Sequence, residues 1–162
     1  MQITLKRLLK LMGDIKKGGG KIGLCCGAYD LLHPGHMRHL KSAKKICGAG
    51  GVLIIAVTAD KHLAKSKGVG RPVIKERERA FSASQLRSVD YALVSPYETA
   101  VELIHLIRPD YFIKGRDFMD YETPYLRREK EALKETGGEL RLTTDEKLST
   151  TEIIRYIKNK LE

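Results

Sequence analysis

The chain has 162 residues, 42% apolar and 31% charged, with 30 Lys and Arg against 20 Asp and Glu for a formal net charge of +10. That length and balance suit one domain of ordinary composition. The longest nearly uninterrupted apolar stretch, 51–57, falls far short of the roughly 20 residues of a membrane-spanning helix, and residues 1–17 lack the apolar core of a secretory signal, so a cytoplasmic protein with no membrane partner is expected.

In chain order, Leu5, Leu8, Leu9 and Met12 recur at helical spacing, and Gly18, Gly19 and Gly20 stop that helix. The triglycine is the one candidate hinge, setting 1–20 apart from a domain over 21–162. Residues 22–26 read as a short buried strand and 34–46 as an amphipathic helix. The alternation then recurs: strand 52–57, helices 59–64 and 76–87, strand 91–94, helix 97–107, strand 111–114, helix 125–135, strand 139–142 and helix 150–161. Five short apolar strands separated by helices predict a Rossmann-like, doubly wound α/β domain. Parallel strands need crossovers, and the crossover helices cover both faces of the five-stranded sheet. Ligands in such sheets sit beyond the carboxyl ends of the strands, at the topological switch point. Cys25, Cys26 and Cys47 are odd in number and two adjoin in an apolar run, which suits free thiols; no C-x-x-C spacing for zinc occurs.

From Arg38 to Arg79, eleven Lys and Arg stand against three acids. Such a field attracts polyanions, either nucleic acid or a small molecule with several phosphates. With no Trp, 6% aromatics and no aromatic-interleaved basic strand, a nucleic-acid module is the lesser reading.

The segment Gly27-Ala28-Tyr29-Asp30-Leu31-Leu32-His33-Pro34-Gly35-His36 lies between the first strand and the first long helix. Pro34 fits the first helical position and forces His33 toward an extended conformation. Unpaired amides, the positive helix end and the two imidazoles then converge into a cradle for one anionic group. The plainer reading is a helix start with two histidines in a solvated loop. Metal ligation by His33, His36 and His39 is not expected, because the Pro-Gly insert spoils a shared face and no carboxylate sits alongside.

This segment resembles the signature of the cytidylyltransferase-like nucleotidyltransferases, a Gly-x-Phe-Asp loop running into His-x-Gly-His. Lys67-Gly68, Arg71-Pro72-Val73, Arg79, Lys114-Gly115-Arg116-Asp117-Phe118 and Ser149-Thr150-Thr151-Glu152-Ile153-Ile154 follow in order. The whole series is similar to the nucleotidyltransferase domain of ADP-heptose synthases, over roughly residues 20 to 160. The resemblance implies transfer of AMP from ATP to a sugar 1-phosphate, giving ADP-heptose and pyrophosphate, with Mg2+ held mainly by the triphosphate and a homodimeric enzyme. It places His33, His36, Lys44 and Lys67 in catalysis. Gly27, Ala28, Tyr29, Asp30, Gly35, Lys114, Gly115, Asp117, Ser149, Thr150 and Thr151 would hold the nucleotide, and Lys65 and Arg79 the acceptor or phosphate. Ser149 to Glu152 is equally an S-x-x-E capping box. Cys25, Cys26, His39, His62 and His105 read as packing or surface residues.

Two departures stand out. The cytidylyl branch carries Arg-Thr-Glu-Gly-Ile-Ser before the final Thr, and this chain has Thr144-Asp145-Glu146-Lys147-Leu148-Ser149, without the Arg. ATP is therefore favoured over CTP, with CTP and a small alcohol phosphate such as glycerol 3-phosphate as the alternative. Arg77, flanked by Glu76 and Glu78, stands where the family usually has Glu two residues before Arg79.

Overall fold

The computed structural model describes residues 1–68, 70–119, 122–146 and 148–161. The elements run α1 (Leu5–Lys17), β1 (Ile22–Gly27), α2 (Pro34–Cys47), β2 (Val52–Thr58), α3 (Asp60–Lys67), α4 (Glu76–Ser84), β3 (Tyr91–Ser95), α5 (Val101–Ile107) and β4 (Tyr111–Lys114). A 3-10 turn (Arg116–Phe118), α6 (Pro124–Thr136), β5 (Glu139–Leu142) and α7 (Thr150–Leu161) complete the chain. The five strands form one all-parallel sheet in the order β3-β2-β1-β4-β5. The chain winds outward from β1 through β2 and β3, then crosses to the other side of β1. This puts the switch point between β1 and β4.

Alternate residues of each strand point to opposite faces, and each face has its own core. On one, Leu24, Ile54 and Phe112 pack with Leu8 and Met12 of α1, Leu103 and Ile104 of α5, and Leu133 of α6. On the other, Cys25, Ile55, Val57 and Ile113 meet Leu40, Ala43 and Cys47 of α2 and Ala80 and Ala83 of α4. All three cysteines are free, and no described helix is long and apolar enough to cross a membrane.

Two aspartates tie down the amino-terminal edge of the sheet. Asp90, just before β3, accepts from the Leu53 N–H of β2 at 2.7 Å and pairs with Lys44, whose ammonium also donates to the Gly51 carbonyl. Asp110, just before β4, accepts from the Ile22 N–H of β1 at 2.9 Å and from Lys21 at 2.8 Å. In both places a carboxylate fills the acceptor position that a strand N–H would otherwise lack.

Three helix boundaries differ from the sequence reading by three residues or more. α5 begins at Val101 rather than 97, because the Tyr97 N–H bonds Ser95 Oγ and the Val101 N–H bonds Thr99 Oγ1, holding the intervening residues in turns. α4 ends at Ser84 rather than 87, where successive three-residue backbone bonds from Gln85, Leu86 and Val89 tighten the chain. α3 runs on to Lys67, and Gly68, at φ +84°, closes it.

Candidate active site

The loop leaving β1 turns sharply before α2, with Tyr29 and Leu31 at φ +48° and +51°. Side chains rarely adopt this left-handed conformation, and it persists only where surroundings enforce it. Here the enforcing group is Asp30, whose side chain is fully buried. Its carboxylate accepts from the Val73 and Ile74 N–H groups at 3.0 Å and from Arg71 Nε at 2.8 Å, while its carbonyl accepts from Thr150 Oγ1 at 2.6 Å. Burial alone would raise the Asp30 carboxyl, but these donors together hold it below its ordinary range. One residue thus ties the loop to the segment before α4 and to the start of α7.

His33, extended as the residue before Pro34, caps α2: its Nδ1 accepts from the His36 N–H at 3.3 Å. An accepting Nδ1 leaves the ring proton on Nε2 in the neutral imidazole. The His33 and His36 rings stack at 3.8 Å. A Cβ on Gly35 would come within 3.0 Å of the His33 ring and 2.9 Å of Leu148, so glycine lets the turn close. Burial lowers His36 to about 4, with His33 and His39 adding, and burial lowers His33 and His39 too. These imidazoles are neutral in the free protein at pH 7.

The pair opens onto a cavity of about 430 Å³ above the β1/β4 switch point. Gly27, Ala28, Tyr29, Asp30, Gly35, Lys67, Gly115, Asp117, Ser149, Thr150 and Thr151 also line it. A Cβ at Gly115 would meet nothing within 4 Å, so that backbone is open to an approaching group. Two helix N-termini, those of α2 and α7, face the same space, where partial positive charge favours anions. At α7 the capping box forms: the Thr151 N–H donates to Ser149 Oγ at 3.2 Å and the Ser149 N–H to Glu152 at 3.1 Å.

A second cavity, about 380 Å³, adjoins the first across Cys26, Gly27, Ala28 and Lys67. Lys65 and Lys114 line this one. Lys114 is not free for a ligand: its ammonium lies 2.7 Å from Glu129 of α6 and 4.1 Å from the centre of the Phe118 ring.

Like Lys114, two more of the expected site residues are paired within the protein. Lys44 sits about ten residues down α2 from the histidines, some 15 Å at 1.5 Å per residue, and is committed to Asp90 and Gly51 at the far edge of the sheet. Arg79 is 1% exposed, and its bonds are made within the protein. Its guanidinium donates to the carbonyls of Ala28, Ile74 (2.8 Å) and Thr58 (2.8 Å) and pairs with Asp60 at 2.7 Å. The Asp60 N–H in turn donates to Glu76 at 2.6 Å.

The cavities also use residues that sequence reasoning set aside. His39 bonds Thr143 at 2.7 Å beside the first cavity, His62 lines the second, and Asp145, held by Ser42 at 3.0 Å, leaves its other carboxylate oxygen buried without a partner among the described residues. Arg71 lay within a quoted motif, which was its only signal. Val69 and Lys147 lie outside the described residues.

Residues 24–156 match the family model described as cytidylyltransferase-like. The chain is 33% identical over 156 residues to the bifunctional protein HldE of Helicobacter pylori, covering 93% of this chain and 30% of that one. It is 36% identical over 158 residues to the HldE of Methylococcus capsulatus, covering 97% and 32%. The chain therefore spans about a third of the length of these relatives. The crystal structure of a lipopolysaccharide core biosynthesis protein from Thermoplasma volcanium superposes with a TM-score of 0.64 at 21% identity, over 81% of this chain and all of that one, and so shares the fold.

Proposed function

Because the chain belongs to the cytidylyltransferase-like family, we propose that it is a cytoplasmic nucleotidyltransferase that moves AMP from ATP to a sugar 1-phosphate, heptose 1-phosphate above all, releasing pyrophosphate. The observation that carries this reading is the stacked His33–His36 pair at the N-terminus of α2, facing Lys67 and the start of α7 across one cavity. The HldE relatives support the heptose acceptor, and residues 21–162 carry the reaction.

The attacking phosphate monoester has a second pKa near about 6, so at pH 7 it is largely deprotonated and needs no general base. What remains is to bring two anions together and to stabilise charge growing on the α- and β-phosphate oxygens during in-line displacement. His33 and His36 each offer a ring N–H and take up positive charge once an anion arrives. Lys67, lining both cavities, bridges the nucleotide and acceptor sides. Gly115 admits the nucleoside, Asp117 its sugar or base, and Ser149 to Thr151 offer amides and hydroxyls to phosphate. Among the described residues no three His, Cys, Asp or Glu side chains cluster to hold an ion. In this reading Mg2+ arrives with the triphosphate, as magnesium sites often use few protein ligands. A homodimer belongs to the same reading and is measured by light scattering.

The absent Arg in the segment before Ser149 favours ATP over CTP. The test supplies each triphosphate in turn with sugar 1-phosphates, glycerol 3-phosphate and choline phosphate, and follows Mg2+-dependent pyrophosphate release. ATP with a heptose 1-phosphate is the expected pair, with inversion at a chiral α-phosphorus; CTP with an alcohol phosphate would replace this reading.

A further inference from the structure

Lys114, the last residue of β4, is enclosed rather than presented. Its side chain is 11% exposed, and its ammonium lies 2.7 Å from the carboxylate of Glu129, itself 6% exposed on α6. The same ammonium sits over two rings, 5.1 Å from the centre of Phe112 and 4.1 Å from that of Phe118. Phe112 is wholly buried in the core, whereas Phe118 is a half-buried member of the 3-10 turn that follows β4. A line of contacts therefore runs from α6 through a cation to an aromatic ring of that turn. Gly115, Arg116, Asp117 and Phe118 line the first cavity, while Lys114 and Glu129 line the second, so the line of contacts stands between the two. An ion pair this far out of water adds little stability, because desolvating both charges offsets most of their attraction, and an apolar pair of similar volume is often as stable. What the pair does supply is direction: apolar packing lets a half-buried ring settle in several ways, but a fixed cation draws one ring face onto itself.

We propose that Glu129 is a positioning residue: through Lys114 it fixes the Phe118 ring, and with the ring the 115–118 turn, so that this backbone is set before a nucleotide arrives. The proposal rests on the nucleotidyl-transfer reading, in which Gly115 and Asp117 face the nucleoside, and adds what holds them in place. Neither Glu129 nor Lys114 touches the substrate. Inside the turn the Phe118 N–H reaches the Gly115 carbonyl at 3.3 Å and the Met119 N–H the Arg116 carbonyl at 2.9 Å, short-range bonds that report directly on whether the turn is held. Because charge rather than volume does the holding, removing both charges at constant volume should keep the fold and release the turn.

The test compares the wild type with the double variant Lys114→Met/Glu129→Met, with Phe118→Leu, which removes the ring alone, and with Phe118→Tyr, which keeps it. Amide hydrogen exchange is measured on the ligand-free whole chain, and calorimetry follows binding of α,β-methylene ATP and of inorganic tripolyphosphate, both with Mg2+. In the double variant and in Phe118→Leu, exchange at Phe118 and Met119 should quicken about tenfold while the Leu133 amide of α6 stays as in the wild type. The affinity for α,β-methylene ATP should fall about tenfold in both, since a released turn must be ordered on binding, and tripolyphosphate, which has no nucleoside, should bind as before. Phe118→Tyr should restore wild-type behaviour on both counts. Unchanged exchange at Phe118 and Met119 in a folded variant overturns the proposal, and so does an equal loss of affinity for both ligands, the mark of a general structural defect. Phe118→Leu leaves the buried charges in place and so remains decisive if the double variant fails to fold. The exchange measurement needs no ligand, so it judges the positioning role even if pyrophosphate release shows the transfer reading to be wrong.

Discussion

The two ends of the sheet use the same kinds of side chain to opposite effect. At the amino-terminal edge, Asp90 and Asp110 each hold a strand N–H and a lysine, and Lys44 is divided between a carboxylate and a carbonyl. At the carboxyl edge, among the described residues, Lys65 and Lys67 carry no ion pair, and a buried ring nitrogen of His36, one of His62 and a carboxylate oxygen of Asp145 lack hydrogen-bond partners. Charge that is paired within the protein stabilises the fold; charge left unpaired at the surface is available to a ligand. Pairing, rather than position, is the distinction. Arg79 lies at the carboxyl edge beside the site, yet all three of its guanidinium nitrogens already donate within the protein.

The hardest way to break this contrast is to remove Arg79. Arg79→Met strands Asp60 and three carbonyls, and urea unfolding should show a loss of about 3–5 kcal/mol, the scale for breaking a buried ion pair. A stable variant that had lost only phosphate affinity would return Arg79 to the ligand. Next in size, His36→Ala should lower turnover by two to three orders of magnitude, about 3–4 kcal/mol in the transition state, while its unfolding midpoint at pH 7.5 stays near that of the wild type.

The same imidazole makes the fold sensitive to acid. With a folded value of about 4 against 6.5, His36 binds its proton more readily in the unfolded chain, so it contributes no pH dependence above about 6.5. Stability should then fall as the pH drops from about 6.5 to about 4, by up to about 3 kcal/mol at 1.36 per unit. Chemical denaturation across that window should show the slope in the wild type and lose most of it in His36→Ala. A bound triphosphate would reverse the balance, so nucleotide binding should take up protons near pH 6.5, measurable from calorimetry in buffers of different ionisation enthalpy.

The smallest effect belongs to the paired edge. Asp90→Ala leaves the Leu53 N–H without its acceptor and should cost about 1–3 kcal/mol of stability, with turnover per folded molecule unchanged. A fall in turnover there would show that the far edge is not merely structural.

The sheet was legible because each buried strand is a short apolar run bounded by turns and separated by helical periodicity, and the histidine loop because His33-Pro34-Gly35-His36 combines a helix start with two imidazoles. Pairing was not legible. Lys44 and Lys67 are both lysines near a helix C-terminus, and only the packing of α2 against the sheet shows that one meets Asp90 while the other faces the cavities. His62 read as a surface residue because its neighbours Lys61 and Lys65 are polar, yet it lines the second cavity together with Glu129, 67 positions further on. The early end of α4 and late start of α5 were hidden for a related reason, since local hydroxyl and backbone bonds outweighed helical periodicity over a few residues.

Asp30 gives the site one more property. It joins segments near residues 30, 73 and 150 through a single carboxylate and its own carbonyl. No one of these strands of chain can detach without releasing the others, so the phosphate side of the site should open as one cooperative unit, not by fraying. In hydrogen exchange the Val73 and Ile74 amides, although they lie in a loop, should exchange at the rate of that unit, and Asp30→Asn should quicken them together with the first turn of α7.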